Sequence, residues 1–377
     1  MTSLLPDLDP DGLLEYSVVF TDRSLNHMSQ TFQRVMRDIS ATLKDVYNAD
    51  AVIVVPGGGT YGMESVARQF APGRKCLVIR NGFFSFRWSQ IIDMGGLTDE
   101  TIVLQARQSA AGPQAPFAPP PIDDVTDAIR SEKPDVVFAP HVDTSSGIIL
   151  PDAYIAAVAE AVHEHGGLFV LDCVASGCVW VDMKTSGVDV LITAPQKGWS
   201  SSPCCALVML GGSALERIGK TTSNSFACDL RKWLDIMRAY ENGGHAYHAT
   251  LPTDALVTFR DNMLETCSHG LETMREKQWE LGTKVRQLLQ SHGFRSVADD
   301  GYQAPGVVVY YTDDPEIQNG SKFREQGLQI AAGVPLMCGE PSDFRTFRVG
   351  LFGLEKLRDT DRAVAPLAEA LGRITQV

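Results

Sequence analysis

No run of apolar residues in this chain approaches the roughly 20 that a transmembrane helix needs, so the sequence offers no membrane-spanning segment. Basic residues are also in short supply. The 33 Lys and Arg are outnumbered by 46 Asp and Glu, leaving a net charge of −13, which argues against sequence-independent nucleic-acid binding because that needs a basic surface. None of the 8 cysteines forms a CxxC pair. Cys173 and Cys178 flank a strand-like run, and adjacent Cys204 and Cys205 are poorly placed to chelate one metal. Free thiols in a reducing cytoplasm are expected, rather than zinc or a disulfide framework. The opening Met1–Asp7 lacks the basic and long apolar parts of a secretory leader, which fits the same expectation. Internal repeats are lacking too.

What is present is alternation. At 377 residues the chain can bury a large core and is expected to hold two domains: a large one over 15–255 and a small one over 256–377, with an N-terminal arm over 1–14 packing near the active site. Ala51–Val55 is a short β-branched run that ends at Pro56-Gly57-Gly58-Gly59, and Thr60–Phe70 then reads as a helix. Lys75–Ile79, Asp135–Ala139, Leu168–Leu171, Val188–Ile192 and Cys205–Leu210 read as further strands, with a helical segment over Tyr154–His165. Such alternation predicts an α/β fold with a mostly parallel, helix-covered sheet. Ser109–Pro121 reads as an exposed connection. From about Pro252 the pattern becomes one long polar helical segment, Thr253–Ser291, followed by a strand-rich region.

Two short stretches carry chemistry. Leu168-Phe169-Val170-Leu171-Asp172 ends a buried strand on a carboxylate, and Lys197 follows in the polar loop Thr193–Ser201. A lysine amine can form a Schiff base with the aldehyde of pyridoxal 5′-phosphate. An aspartate can keep the cofactor's pyridine nitrogen protonated, so that the ring withdraws electrons. Either residue alone would be an ordinary charge. The loop Pro56-Gly57-Gly58-Gly59-Thr60 joins a strand to a helix, so its N–H groups and the Thr60 hydroxyl can cradle a phosphate. It lacks the Gly-Lys-Ser/Thr ending of a P-loop and matches the dinucleotide fingerprint poorly, and a plain tight turn is the alternative.

The order of these pieces, from about residue 45 to the C-terminus, resembles the class V aminotransferases of pyridoxal-phosphate fold type I. The similarity is to the branch of alanine/serine–glyoxylate and 2-aminoethylphosphonate–pyruvate transaminases. The resemblance implies that Gly58, Gly59, Thr60 and Gln196 contact the cofactor phosphate. It implies that Phe84, in Asn81-Gly82-Phe83-Phe84, stacks on the ring, with core packing as the alternative. Thr144, in His141-Val142-Asp143-Thr144-Ser145-Ser146-Gly147, falls where a hydroxyl meets the cofactor near O3′. Asp172 and Lys197 take the pyridinium and Schiff-base positions.

Two further motifs extend the resemblance. Tyr247 and Thr250, in Tyr247–Pro252, resemble residues donated to a neighbouring subunit's phosphate, which implies a homodimer with shared active sites. Arg348, in Phe347–Gly353, resembles the arginine that grips the substrate's acid group, a task suited to a planar guanidinium; a structural ion pair is the alternative. The implied reaction is transamination from a small amino donor (alanine, serine or a 2-aminoethylphosphonate-like amine) to pyruvate or glyoxylate by a ping-pong cycle. The usual Pro-Gly-Pro opening over the substrate is missing, and Leu14–Phe20 stands there instead. Arg23, His27 and Arg87 could add polar contacts but read better as structural residues. The same fold hosts β-eliminating lyases and cysteine desulfurases, and Cys338 precedes Arg348 in a short loop, which makes those reactions the alternative.

Overall fold

The computed structural model describes residues 8–9 and 11–375; of the expected arm over 1–14, residues 1–7 and 10 lie outside the described residues. In chain order, β1 (Ala51–Pro56), β2 (Cys76–Arg80) and β3 (Thr101–Gln105) are followed by a short ladder of β4 (Arg107–Gln108) and β5 (Phe117–Ala118). Then come β6 (Val136–Pro140), a second ladder of β7 (Val142–Asp143) and β8 (Ile148–Ile149), and β9 (Leu168–Asp172), β10 (Val190–Thr193) and β11 (Cys205–Leu210). A 7-stranded sheet takes the order β1-β11-β10-β9-β6-β2-β3. Its strands run parallel except β11, which is antiparallel to both β1 and β10. The interior strands are buried along their length, without polar alternation, because both faces of the sheet are covered.

Three helices near the N-terminal half bear on the site. α1 (Gln30–Tyr47) has no counterpart in the sequence reading. The Ser29 hydroxyl accepts from Phe32 N at 3.0 Å to start it, and Asn48, at φ 53°, stops it in the left-handed region. Its face of Phe32, Val35, Met36, Ile39, Leu43 and Tyr47 is buried in the main core. α2 (Gly59–Phe70) and α3 (Phe83–Gly95) follow β1 and β2 directly. α2 presses so closely on the sheet that a Cβ at Gly62 would lie 2.6 Å from Ala206 Cβ and 3.0 Å from Ile192 Cγ2.

The segment Thr253–Ser291 is two helices, Thr253–Ser268 and Leu271–Ser291, separated at Gly270, whose φ of 83° a side chain would oppose. The first buries Leu256, Phe259 and Met263 in the main core, so the division expected after residue 255 falls inside a helix that packs on α1 within that core. The second places Met274, Leu281, Val285 and Leu289 in a separate core. Around that core lies an antiparallel sheet in which β14 (Thr346–Gly350) sits between β12 (Val307–Tyr311) and β13 (Ala331–Ala332). This region is not strand-rich, since helices Pro315–Gln318, Ser321–Glu325, Leu354–Arg358 and Thr360–Ile374 intervene or follow. Within the expected exposed connection, Ser109–Pro113 is exposed, whereas Phe117 is buried and donates its N–H to Val297 O at 2.7 Å. No helix among the described residues is long and apolar enough to cross a membrane.

The Gly62 contact makes a test. Gly62→Ala should destabilise the protein by about 1–3 kcal/mol, because neither Ala206 on β11 nor Ile192 on β10 can retreat from a packed sheet. Urea unfolding would show it as a lowered midpoint, and an unchanged midpoint would contradict the packing described.

Candidate active site

A buried parallel sheet can carry polar chemistry only where its strands end, and five of them end at one edge. There a cavity of about 420 Å³ is lined by Gly59 and Thr60 beyond β1, Phe84 and Arg87 beyond β2, Val142 and Thr144 beyond β6, Asp172 at the end of β9, and Gln196 and Lys197 beyond β10. Arg348 of β14 and Val307 of β12 close it from the smaller sheet, together with Phe352. The sequence-predicted residues Gly59, Thr60, Phe84, Thr144, Asp172, Gln196, Lys197 and Arg348 are thus brought together.

The phosphate-type cradle is the start of α2. Gly58 is its N-cap in extended backbone, and the first N–H groups of a helix have no partner within it. A Cβ at Gly58 would meet nothing within 4 Å, whereas one at Gly59 would come within 2.7 Å of Val174 Cγ2. The protein itself therefore requires glycine at 59 but not at 58. Thr60 Oγ1 accepts from Arg87 Nη1 at 3.0 Å, which places a guanidinium beside the helix N-terminus. The Gln196 carbonyl oxygen is buried with no partner, an acceptor left for a ligand hydrogen or water.

The ionisable groups are shaped by burial. Lys197 lies below the usual lysine range, chiefly because burial disfavours its charge and secondly because Arg348 is near. Its Nζ sits 4.8 Å from the centroid of the Phe352 ring. Burial pushes Asp172 up to about 7, the Val174 N–H at 2.9 Å pulls it back, Asp143 raises it and Arg87 lowers it. Such a carboxyl has an unfilled demand for a cation. Burial also lowers Arg348, with Asp143 opposing. Arg348 donates through Nε to Ala332 O at 2.8 Å and through Nη1 to Thr144 O at 3.4 Å, which turns the guanidinium toward the cavity rim. Its Cζ and that of Arg87 lie 5.6 and 4.7 Å from the Phe84 ring centroid.

Several placements differ from the sequence reading. Arg87 is a cavity residue rather than a structural one; its i+3 spacing from Phe84 on α3 was the available signal. Phe352, Val174 and Ala175 line the cavity although no role was read for them. Arg23 is exposed, and His27 is buried against the rings of Phe20, His245 and Tyr247, outside the cavity. Tyr247 and Thr250 do not reach this cavity either. They are exposed, and their hydroxyls lie 3.1 Å apart.

A buried lysine amine, a strand-end carboxylate and an anion cradle on the carboxyl edge of such a sheet define a pyridoxal-phosphate enzyme of fold type I. The chain belongs to the class-V aminotransferase family, whose description "Aminotransferase class-V" matches residues 13–345. It is 27% identical to alanine–glyoxylate aminotransferase 1 of Saccharomyces cerevisiae over 360 residues, covering 88% of each chain. It is also 26% identical over 356 residues to a protein described as the small subunit of soluble hydrogenase, from Synechococcus sp. (strain PCC 6716), covering 93% of this chain and 88% of that one. In fold it is similar to the crystal structure of alanine–glyoxylate aminotransferase from Nostoc sp., with a TM-score of 0.78 at 20% identity, covering 93% of this chain and 89% of that one.

The raised Asp172 carboxyl makes cofactor-free protein sensitive to pH. Unfolded, it titrates near 3.8; folded, near 7, so the folded chain keeps a proton that the unfolded chain has lost. The neutral acid's contribution to stability is full below the lower value and disappears as pH rises toward 7, on the order of 4 kcal/mol across that range. Cofactor-free Asp172→Asn should therefore show a shallower fall in stability from pH 4 to 7 than wild type. Parallel profiles in urea melts would refute the assignment.

Proposed function

We propose that the protein moves an amino group from a small amino donor, such as alanine, serine or a 2-aminoethylphosphonate-like amine, to pyruvate or glyoxylate in a ping-pong cycle. The observation that carries this reading is the convergence of Lys197, Asp172 and Arg348 on one cavity. Pyridoxal phosphate, when bound, supplies an aldehyde and a ring that accepts electrons. Lys197 Nζ takes the proton from the donor's α-carbon. Burial helps here by lowering the amine's pKa, which favours the neutral form this step needs. Asp172 would hold the proton on the pyridine nitrogen, Phe84 would face the ring and Thr144 would offer it a hydroxyl. Gly58, Gly59, Thr60 and Gln196 would hold the phosphate, with Arg87 as an added cation on that side. Arg348 orients the donor or acceptor by its acid group.

A homodimer belongs to the same proposal. Tyr247 and Thr250 would serve the neighbouring subunit's phosphate, and support comes from their exposure beside Phe226, which is 78% exposed yet packs on His248 with ring centroids 4.8 Å apart. A two-domain organisation is proposed as well, with Arg348 reaching the cavity from the smaller part. The free state of all 8 cysteines supports a reducing, cytoplasmic setting. Desulfurase chemistry is disfavoured by Cys338. Its thiol is pushed up to about 12, chiefly by burial, and donates to Arg80 O at 3.5 Å or Leu336 O at 3.6 Å, while the cavity is lined without it.

The decisive experiment is a half-reaction. Purified holoenzyme should lose its visible cofactor band with one of alanine, serine, aspartate or 2-aminoethylphosphonate, and regain it with pyruvate or glyoxylate. Persistence of the band with every donor, together with release of ammonia or sulfide, would establish a lyase instead. A separate expectation concerns Arg87. Arg87→Gln should weaken uptake of pyridoxal phosphate by apoenzyme about tenfold, the worth of one charge-assisted hydrogen bond, while leaving uptake of unphosphorylated pyridoxal unchanged. Equal losses for both compounds would remove the phosphate role.

A further inference from the structure

Asp143 is a fully buried carboxylate behind the cavity wall, and it is not among the lining residues. Each of its oxygens serves one loop. Oδ2 accepts from Ser85 N at 2.8 Å and Ser85 Oγ at 2.7 Å, in the first turn of α3. Oδ1 accepts from Ser145 N at 3.0 Å and Ser145 Oγ at 2.6 Å, in the loop beyond β7. The two serines extend the network. Ser85 Oγ accepts from Asn81 N at 2.9 Å and Gly82 N at 3.1 Å, and Ser145 Oγ accepts from Phe83 N at 2.7 Å. At the start of α3, whose N-cap Gly82 has no side chain, two first-turn N–H groups, Phe83 N and Ser85 N, are thereby met from another loop. The fit is close enough that a Cβ at Gly82 would fall 2.1 Å from Ser145 Oγ and 2.6 Å from Asp143 Oδ1.

What these two loops carry into the cavity is adjacent in sequence to what Asp143 holds. Phe84 precedes Ser85, and Thr144 lies between Asp143 and Ser145. Arg348 Nη1 in turn donates to the Thr144 carbonyl. We propose that Asp143 is a positioning residue for the reaction, fixing Phe84, Thr144 and, through the Thr144 carbonyl, Arg348 in one register; this rests on the function proposed above. The charge matters as well as the shape. Four donors meet two oxygens, and only an acceptor-only group can take all four. An asparagine would turn an NH₂ toward one loop's N–H and leave it unmet.

The test uses holoenzyme and three serine variants alongside Asp143→Asn: Ser85→Ala, Ser145→Ala and the double substitution. Asp143→Asn should raise KM for the 2-oxo acid about tenfold or more with a smaller change in kcat, and should alter the visible circular dichroism of the bound cofactor. A residue that only stabilised the fold would lower the melting temperature and leave both readouts in place. The double serine variant should be less impaired than the two single effects combined, because both act through one carboxylate. Additive serine effects, with wild-type KM and dichroism in Asp143→Asn, would overturn the proposal. Should Asp143→Asn fail to fold, the serine cycle decides alone. A failure of the functional reading shows differently, in wild-type protein that takes up no pyridoxal phosphate. The serine coupling is then still read from unfolding of the cofactor-free chain.

Discussion

The structure depends on five buried parallel strands ending at the same edge. Inside such a sheet every peptide group is paired and both faces are apolar, so no interior position tolerates an unpartnered charge. β9 shows the rule within five residues: Leu168 to Leu171 are fully inside, and the first polar side chain, Asp172, appears where the strand stops. Helices α2 and α3 begin at this edge, so their first N–H groups face it too, those of α3 largely taken up by Ser145 and Asp143. The reversal of β11 adds a second constraint. The loop bearing Lys197 leaves β10 at Thr193 and rejoins the sheet at Cys205, which pairs with Pro56 of β1. Both ends of the lysine loop are therefore anchored to rigid strands, one of them beside the glycine turn.

A second theme is local charge reversal. The chain is strongly acidic overall, with a net charge of −13, yet the cavity wall carries Lys197, Arg87 and Arg348 against the single carboxylate Asp172. Such a site is held together by its ligands. On the function proposed above, a phosphate and an acid group would supply the missing negative charge, and a pyridinium would answer Asp172. Without them, burial moves the groups toward neutrality, which is the direction seen for Lys197, Asp172 and Arg348 alike.

Much of this was legible in the sequence because the chemistry sits immediately beyond short apolar runs. The glycine turn, Asp172 and Lys197 could be placed at strand ends from local pattern alone, and the alternation of strands and helices followed from the same runs. Other residues were not legible, for physical reasons. Phe352 comes to the cavity from far along the chain, a contact no linear pattern encodes, and the i+3 spacing of Arg87 from Phe84 says that the two share a helix face but not that this face meets the cavity. α1 carries an N-cap serine and an apolar face at helical spacing, so its signal was available but unread. The break at Gly270 was hidden because a lone glycine within a polar helical stretch can equally continue the helix. Asp143 carries no signal of its own in the linear sequence, since its importance lies in which two loops it joins.

The cavity has one property that its inventory of residues does not express. Its wall draws on Gly59 early in the chain and Phe352 near its end, with Met63 belonging to the main core and Val142 and Val307 to a different hydrophobic cluster. No fragment of the polypeptide owns it, so occupancy is a statement about the assembled whole. A ligand that recognises only the finished cavity, at a free concentration 100 times its dissociation constant, adds about 2.7 kcal/mol to global stability. That is a substantial share of what holds an ordinary domain folded. The cellular lifetime of this polypeptide would then follow the vitamin supply, with starvation for the cofactor felt as turnover of the chain before it is felt as lost chemistry.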